Sequence, residues 1–305
     1  MLKYKEKTSF YLSDRHFKAK VRNWLLRGET PDEDDLVLQS HDYLNLAKKD
    51  EIINAQIESL EQSGSGVNMS GVFIHGGEHP NIKLEKRFAQ FIGKEATVLS
   101  QSGYAGNTGL LNALVQRGIA VYADRFVHAS LYDGAKYAGA KVTNFRHNQP
   151  EHLRELLEQY GTGIIMVNSI YSTHGSVSPL DKYADLADEY GCVLIVDESY
   201  SIGVYGHHGK GLVWEMGLTD RVDFVTFSLS KAFAGTGGIV AGSADFCNDL
   251  KYESRMAIFS SVIEPDRVAR INKVLDIMPT LDHVRKQVLD NAAYLRSQLQ
   301  KTGYK

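Results

Sequence analysis

From about residue 95 onward, short apolar runs rich in Val and Ile alternate with segments whose apolar residues recur every three or four positions. The first kind of run fits buried strands and the second fits amphipathic helices. Strands are expected at "ATVLSQ", "AVYAD", "KVTNF", "GIIMVNSI", "CVLIVDE", "DFVTFS" and "GGIVAG". Helices are expected between them at "YAGNTGLLNALVQ", "PEHLRELLEQY" and "PLDKYADLADEY". Runs this apolar need cover on both faces, the setting of a mostly parallel sheet in an α/β protein. Ahead of this region, "NIKLEKRFAQFIG" over 81–93 reads as an amphipathic helix ended by Gly93. The stretch from Asp266 to Lys301 reads as mostly helical, broken near Pro279 and followed by no strand.

Composition narrows the class. With 305 residues, 43% hydrophobic and 23% charged, the chain can bury the core of one large domain or one and a half. Its 34 basic and 37 acidic residues are scattered and give a net charge of −3. No basic patch invites nucleic acid or an anionic membrane. The N-terminus lacks an apolar signal region and no run is long enough to span a bilayer. Of the two cysteines, Cys192 lies inside an apolar run and reads as a small core residue; Cys247 is the other. Such usage suits a reducing cytoplasm, which is the expected location.

Ligands of parallel α/β sheets gather at the carboxyl ends of the strands, so the polar residues closing each apolar run carry the candidate chemistry. "VLSQSGYAGNTGLL" passes from a strand through Ser102, Gly103 and Tyr104 into a helix. Free N–H groups there, with a glycine permitting close approach, suit a phosphate. "LIVDES" ends a buried strand with Asp197 and Glu198, and a carboxylate at the mouth of the sheet is what a pyridinium nitrogen requires. In "TFSLSKAFAGTGG", Ser228 and Lys231 follow the next strand within reach of the same mouth. Each feature alone has an ordinary reading: turn punctuation, a strand-end cap, a solvated lysine. Together a phosphate cradle, a carboxylate, a hydroxyl and an amine describe a pyridoxal 5′-phosphate site.

In order and spacing, "SQSGYAGNTG", "DRFVHASLYDGAK", "VDESYSIGVYGHHGKG" and "FSLSKAFAGTGG" resemble the α-oxoamine synthases, fold-type I pyridoxal phosphate enzymes that join an acyl-CoA to an amino acid. The likeness covers about residues 35 to 265, starting at "LQSHDYLNLA". "LEKRFAQF", "NSIYSTHGSVSPL" and "AIFSSVIEP" look most like the branch that makes α-hydroxyketone quorum-sensing autoinducers. The resemblance implies an N-terminal arm over 1–45, a pyridoxal phosphate-binding large domain over 46–265, and over 266–305 the helical start of an incomplete C-terminal domain. It implies Lys231 as the Schiff-base lysine and Asp197 as partner of the pyridine nitrogen. His128 would stack on the ring face, Gly103, Tyr104 and Ser228 would hold the phosphate, and Ser172 would lie near the phenolic oxygen. Lys231, His128 and Asp197 would be the catalytic residues.

The implied reaction is a condensation of an acyl-CoA with a small amino acid to give an α-aminoketone. The implied assembly is a homodimer, with Ser260 or Ser261 reaching the neighbour's phosphate. Aminoketobutyrate CoA ligase and 7-keto-8-aminopelargonate synthase are the alternatives within the family, and a non-catalytic pyridoxal phosphate-binding fragment is the alternative outside enzymes. Three departures stand out. Tyr200 occupies the place of a family histidine at the phenolic oxygen, and Asn81 that of a histidine before "LE". The family's C-terminal domain, which supplies a carboxylate-binding arginine, is expected to be missing. "HGGEH" over 75–79 matches a zinc pattern that works only on a helix; Gly76, Gly77 and Pro80 oppose one, so no metal is expected. "GHHGKG" lacks the spacing of a phosphate-binding Walker loop.

Overall fold

Every apolar run named above becomes a strand. The structure is a computed structural model that describes residues 37, 38, 40–66, 70–74 and 77–303. Its strands are β1 Ala96–Ser100, β2 Ala120–Asp124, β3 Val142–Phe145, β4 Gly163–Asn168, β5 Val193–Asp197, β6 Phe224–Ser228 and β7 Gly238–Gly242. They line up in the order β1-β7-β6-β5-β4-β2-β3. β7 runs against both of its neighbours, and the remaining pairs are parallel. Contacts divide the chain into Met1–Ser40 and His41–Lys305; this fold is that of the second unit. The expected arm over 1–45 lies largely outside the described residues.

Successive strand residues point to opposite faces, and the two faces fill two cores. Ile165, Val167, Leu194, Val196, Val225 and Phe227 belong to one; Ile164, Met166, Ile195 and Phe224 belong to the other. The longer helices are α1 Asp50–Ser63, α2 Pro80–Ile92, α3 Gly103–Leu114, α4 Ala129–Tyr137, α5 Pro150–Tyr160, α6 Leu180–Tyr190, α7 Ala244–Glu253, α8 Pro265–Ile277 and α9 Asp282–Lys301. α2, α6 and α8 cover the first face through Leu84, Phe88, Tyr183, Val268 and Ile271. α3, α4 and α7 cover the second through Leu110, Leu111, Leu131 and Leu250.

Helix ends follow the sequence. α2 starts at Pro80 behind His79, whose ring accepts a hydrogen bond from the Asn81 N–H, and stops at Gly93, which adopts φ 77°. A tight turn at Met278–Leu281 containing Pro279 separates α8 from α9. Along α9 only Arg285 is buried, and Tyr294, Leu295 and Leu299 are exposed. α1, α4 and α7 lie outside the expected set. α4 is nine residues long and α7 buries only Cys247 and Leu250, too few apolar repeats to show a helical period.

Two buried carboxyl groups tie this sheet to its surroundings, one at an edge and one at the centre. β1 is an edge strand whose outer N–H groups need partners. Glu85 on α2 accepts the Leu99 N–H at 2.9 Å and is held by Lys251 of α7 at 2.5 Å. At the centre, Glu198 follows β5 and is 1% exposed. It accepts from the Ser201 hydroxyl at 2.9 Å and the Val213 N–H at 3.0 Å. The chain closes on it so tightly that a Cβ at Gly211, φ +98°, would stand 2.3 Å from Glu198 Oε2. Burial pushes the Glu198 carboxyl up from 4.5 to about 7.

Two outcomes are expected. The folded chain holds the Glu198 proton at pH values where the unfolded chain has lost it, so stability falls as pH rises from about 4.5 through about 7. A rise of that size corresponds to about 3 kcal/mol. Urea unfolding between pH 5 and 8 should show this loss in the wild type and not in Glu198→Gln, whose amide cannot ionise. Lys251→Met, which strands the Glu85 carboxylate, should cost about 3 kcal/mol. Glu85→Gln in the same chain should recover most of it in the same assay.

Candidate active site

In a parallel sheet the carboxyl ends share one edge, so the turns after β1, β2, β4, β5 and β6 open onto a single mouth. Asp197, the last residue of β5, is 3% exposed. Its Oδ1 accepts from the Ser199 N–H and its Oδ2 from Asn107 Nδ2, both at 2.9 Å. Asn107 lies one turn into α3, four residues beyond Gly103 and therefore on the same side of the helix. The Asn107 amide also donates to Ser130 Oγ at 2.8 Å. Ser130 Oγ is 2.7 Å from His128 Nδ1. His128 is the residue before α4, its backbone N–H donating to Asn168 Oδ1 at 2.9 Å. Asn168 closes β4 beside Asp197.

A second branch leaves Asp197 on the other side. Ser199 Oγ accepts the Ser228 N–H at 2.9 Å, and Ser228 Oγ is 2.7 Å from Ser230 Oγ. The start of α3 rests on Ser228, because a Cβ on Gly103 would stand 2.8 Å from the Ser228 Cβ. Glycine is needed there for close approach. Ser102 caps α3 by accepting the Ala105 N–H at 3.1 Å, while the N–H groups of Gly103 and Tyr104 have no partner within the helix. The Tyr104 phenol donates to Asp133 at 2.9 Å and is exposed.

Lys231 lies beyond β6 with its Nζ 4.4 Å from the centre of the Tyr200 ring, a cation–π distance. Burial lowers the pKa of its amine, and the Asp197 charge opposes that shift without cancelling it. Desolvation therefore wins. The Tyr200 phenol has its pKa raised by burial, an effect that the nearby Ser172 hydroxyl opposes. His41 and Tyr43 come within 6.1 and 6.5 Å of the Tyr200 ring.

The eight residues singled out from sequence thus fall into linked groups. Ser228, Asp197 and His128 lie on one hydrogen-bonded network, Gly103 packs on Ser228 at the start of α3 with Tyr104 beside it, and Lys231, Tyr200 and Ser172 form a chain of contacts across the mouth. Sequence reasoning missed Asn107, Ser130, Asn168 and Ser199. A buried polar residue inside the apolar helix "GYAGNTGLLNAL" was the available signal for Asn107. Asn81 is buried in α2 and donates to the Ile263 carbonyl at 3.3 Å. Ser260 donates to Gln101 at 3.0 Å. His75 and Gly76 of "HGGEH" lie outside the described residues. Among those described, no group of three or more His, Cys, Asp or Glu is placed to hold a metal, and no helix is long and apolar enough to cross a membrane.

The model of the family Aminotransferase class I and II matches residues 33–305. The CAI-1 autoinducer synthase of Vibrio campbellii is 36% identical over 295 residues, which are 97% of this chain and 75% of that protein. The 8-amino-7-oxononanoate synthase of Coprothermobacter proteolyticus is 36% identical over 273 residues, 88% of this chain and 69% of that protein. Among solved structures, a serine palmitoyltransferase from S. paucimobilis with a bound PLP-myriocin aldimine superposes with a TM-score of 0.86 at 25% identity, over 100% of this chain and 80% of its own. The chain belongs to the aminotransferase class I and II family and, within it, to the α-oxoamine synthases.

Proposed function

We propose that this chain is a pyridoxal 5′-phosphate-dependent acyltransferase that joins an acyl-CoA to a small amino acid, releasing CoA and yielding an α-aminoketone precursor of an α-hydroxyketone autoinducer. The observation that carries the chemistry is the placement at one mouth of the Lys231 amine, partly desolvated over the Tyr200 ring, and the buried carboxylate of Asp197. The autoinducer branch is supported by the 36% identity to the CAI-1 autoinducer synthase over nearly the whole chain.

The residues present fit the cofactor. A buried carboxylate already holding two N–H donors suits a third from a ring nitrogen. The glycine that seats α3 on Ser228 brings helix N–H groups and a hydroxyl together for a phosphate. Pyridoxal phosphate supplies an aldehyde for amines and a protonated ring that accepts the electron pair left when a Cα proton departs. Lys231 would hold the cofactor and then take that proton on its Nζ, since burial favours the neutral amine that can accept it. Asp197 would keep the ring nitrogen protonated. His128 would lie against the ring, and Tyr200 and Ser172 would face the phenolic oxygen. All of these groups lie within 46–265, which we read as the cofactor-binding domain, with 266–305 leading toward a further one. A cytoplasmic homodimer completes the proposal.

A second reading, 8-amino-7-oxononanoate synthesis, has equal identity behind it. That product ends in a carboxylate, so its acyl donor must carry one. CoA release should be measured with medium and long plain acyl-CoAs and with ω-carboxylated ones, each against a panel of small amino acids. Faster turnover of plain chains is expected; preference for ω-carboxylated chains would select the second reading. Asp197→Asn should leave the circular dichroism unchanged and slow CoA release on the order of 10²-fold, because the charge that holds the ring proton is gone. Unchanged turnover would reduce Asp197 to a strand-end cap.

A further inference from the structure

We infer that Asn107 and Ser130 are positioning residues: they carry a one-way hydrogen-bond chain from Asp197 to His128 that holds the imidazole in a single tautomer, with its proton on Nε2. The tautomer follows from geometry alone, and its service to the cofactor rests on the function proposed above.

The direction of the chain is set by groups that can only donate. An amide nitrogen has two hydrogens and no acceptor site. Asn107 Nδ2 gives one to Asp197 Oδ2 at 2.9 Å and the other to Ser130 Oγ at 2.8 Å. The flipped amide would set an oxygen against the carboxylate, acceptor on acceptor, so the orientation is fixed by its partners. With its oxygen receiving a hydrogen, the Ser130 hydroxyl is free to donate to His128 Nδ1, 2.7 Å away. The Ser130 backbone N–H, again only a donor, is directed at the same nitrogen from 3.3 Å. A proton on Nδ1 would face both. Nδ1 therefore presents its lone pair and Nε2 carries the hydrogen.

The cluster is built for this. Asn107 is 1% exposed and Ser130 fully buried. Asn107 Oδ1 is buried with no partner among the described residues, so what holds the amide in place is what its nitrogen donates. Asp197 is clamped at both oxygens, by Asn107 and by the Ser199 N–H. The carboxylate that would meet the edge of the cofactor ring and the imidazole that would lie on its face are thereby locked to one another. Nε2–H remains as a donor on an exposed side chain, available to an acyl carbonyl oxygen arriving at the mouth.

The test is histidine-selective ¹⁵N NMR on the 305-residue chain, before and after addition of pyridoxal phosphate, with His128 assigned by loss of its signals in His128→Asn. The wild type should show a protonated Nε2 and a bare Nδ1 with no tautomer exchange. Ser130→Ala and Asn107→Asp should both bring exchange between tautomers, although Asn107 does not touch the ring; a residue serving only to fill space would not produce that signature. Should Asn107→Asp fail to fold, Ser130→Ala and the wild-type spectrum decide. In Ser130→Ala the dissociation constant for pyridoxal phosphate should rise about tenfold, the worth of one hydrogen bond. Protonated Nδ1 in the wild type, or His128 signals unmoved in Ser130→Ala, would overturn the inference. Unchanged affinity with an altered tautomer would refute its link to the cofactor. A locked tautomer in a chain that binds no pyridoxal phosphate would sink the proposed function and leave the hydrogen-bond chain standing.

Discussion

Two neighbouring carboxyl groups close the central strand β5, and both are buried: Asp197 at 3% and Glu198 at 1% exposure. A carboxylate removed from water must find donors or give up its charge, and the surrounding chain meets that demand in two directions. Toward one side, Glu198 gathers Ser201 and the Val213 N–H and forces the backbone to turn at Gly211. Toward the other, Asp197 draws in Ser199 from its own turn and Asn107 from α3. The packing of α3 over the end of the sheet, the seat of Gly103 on Ser228 and the attachment of α4 through Ser130 all follow from satisfying that one acid.

The amine at the mouth is governed by the same competition. Lys231 is partly withdrawn from water, which disfavours its charged form, and is near Asp197, which favours it; withdrawal is the larger effect. Tyr200 is placed under the amine at 4.4 Å and offers a π face, which favours the charged amine less strongly than an acidic side chain would. An imidazole at that position, as the α-oxoamine synthase pattern has it, would supply a more basic partner. The phenol, near Ser172, leaves desolvation to set the reactivity of Lys231.

How much of this was legible in the sequence depended on how local each feature is. The strands were readable because burial on both faces demands uninterrupted apolar runs, and β4, β6 and β7 are buried along their whole length. Asp197, Ser228 and Lys231 were readable because they punctuate those runs, and Gly103 because a glycine between a strand and a helix marks a close approach. Asn107, Ser130 and Ser199 were not. Their roles exist only once α3 and α4 lie side by side over β5, which brings Asn107 against a residue 90 positions later. α4 itself escaped notice for a related reason: of its buried face, Ser130, Leu131, Gly134 and Ala135, all but Leu131 are polar or small, so no apolar period announces it.

The central claim is that the desolvated amine of Lys231 is the one that holds the cofactor. Purified chain should be incubated with pyridoxal phosphate, reduced with borohydride, digested and mapped by mass spectrometry. The modification should fall on the peptide containing Lys231 and be absent from Lys231→Ala. Labelling of a different lysine, or labelling that persists in Lys231→Ala, would contradict the account.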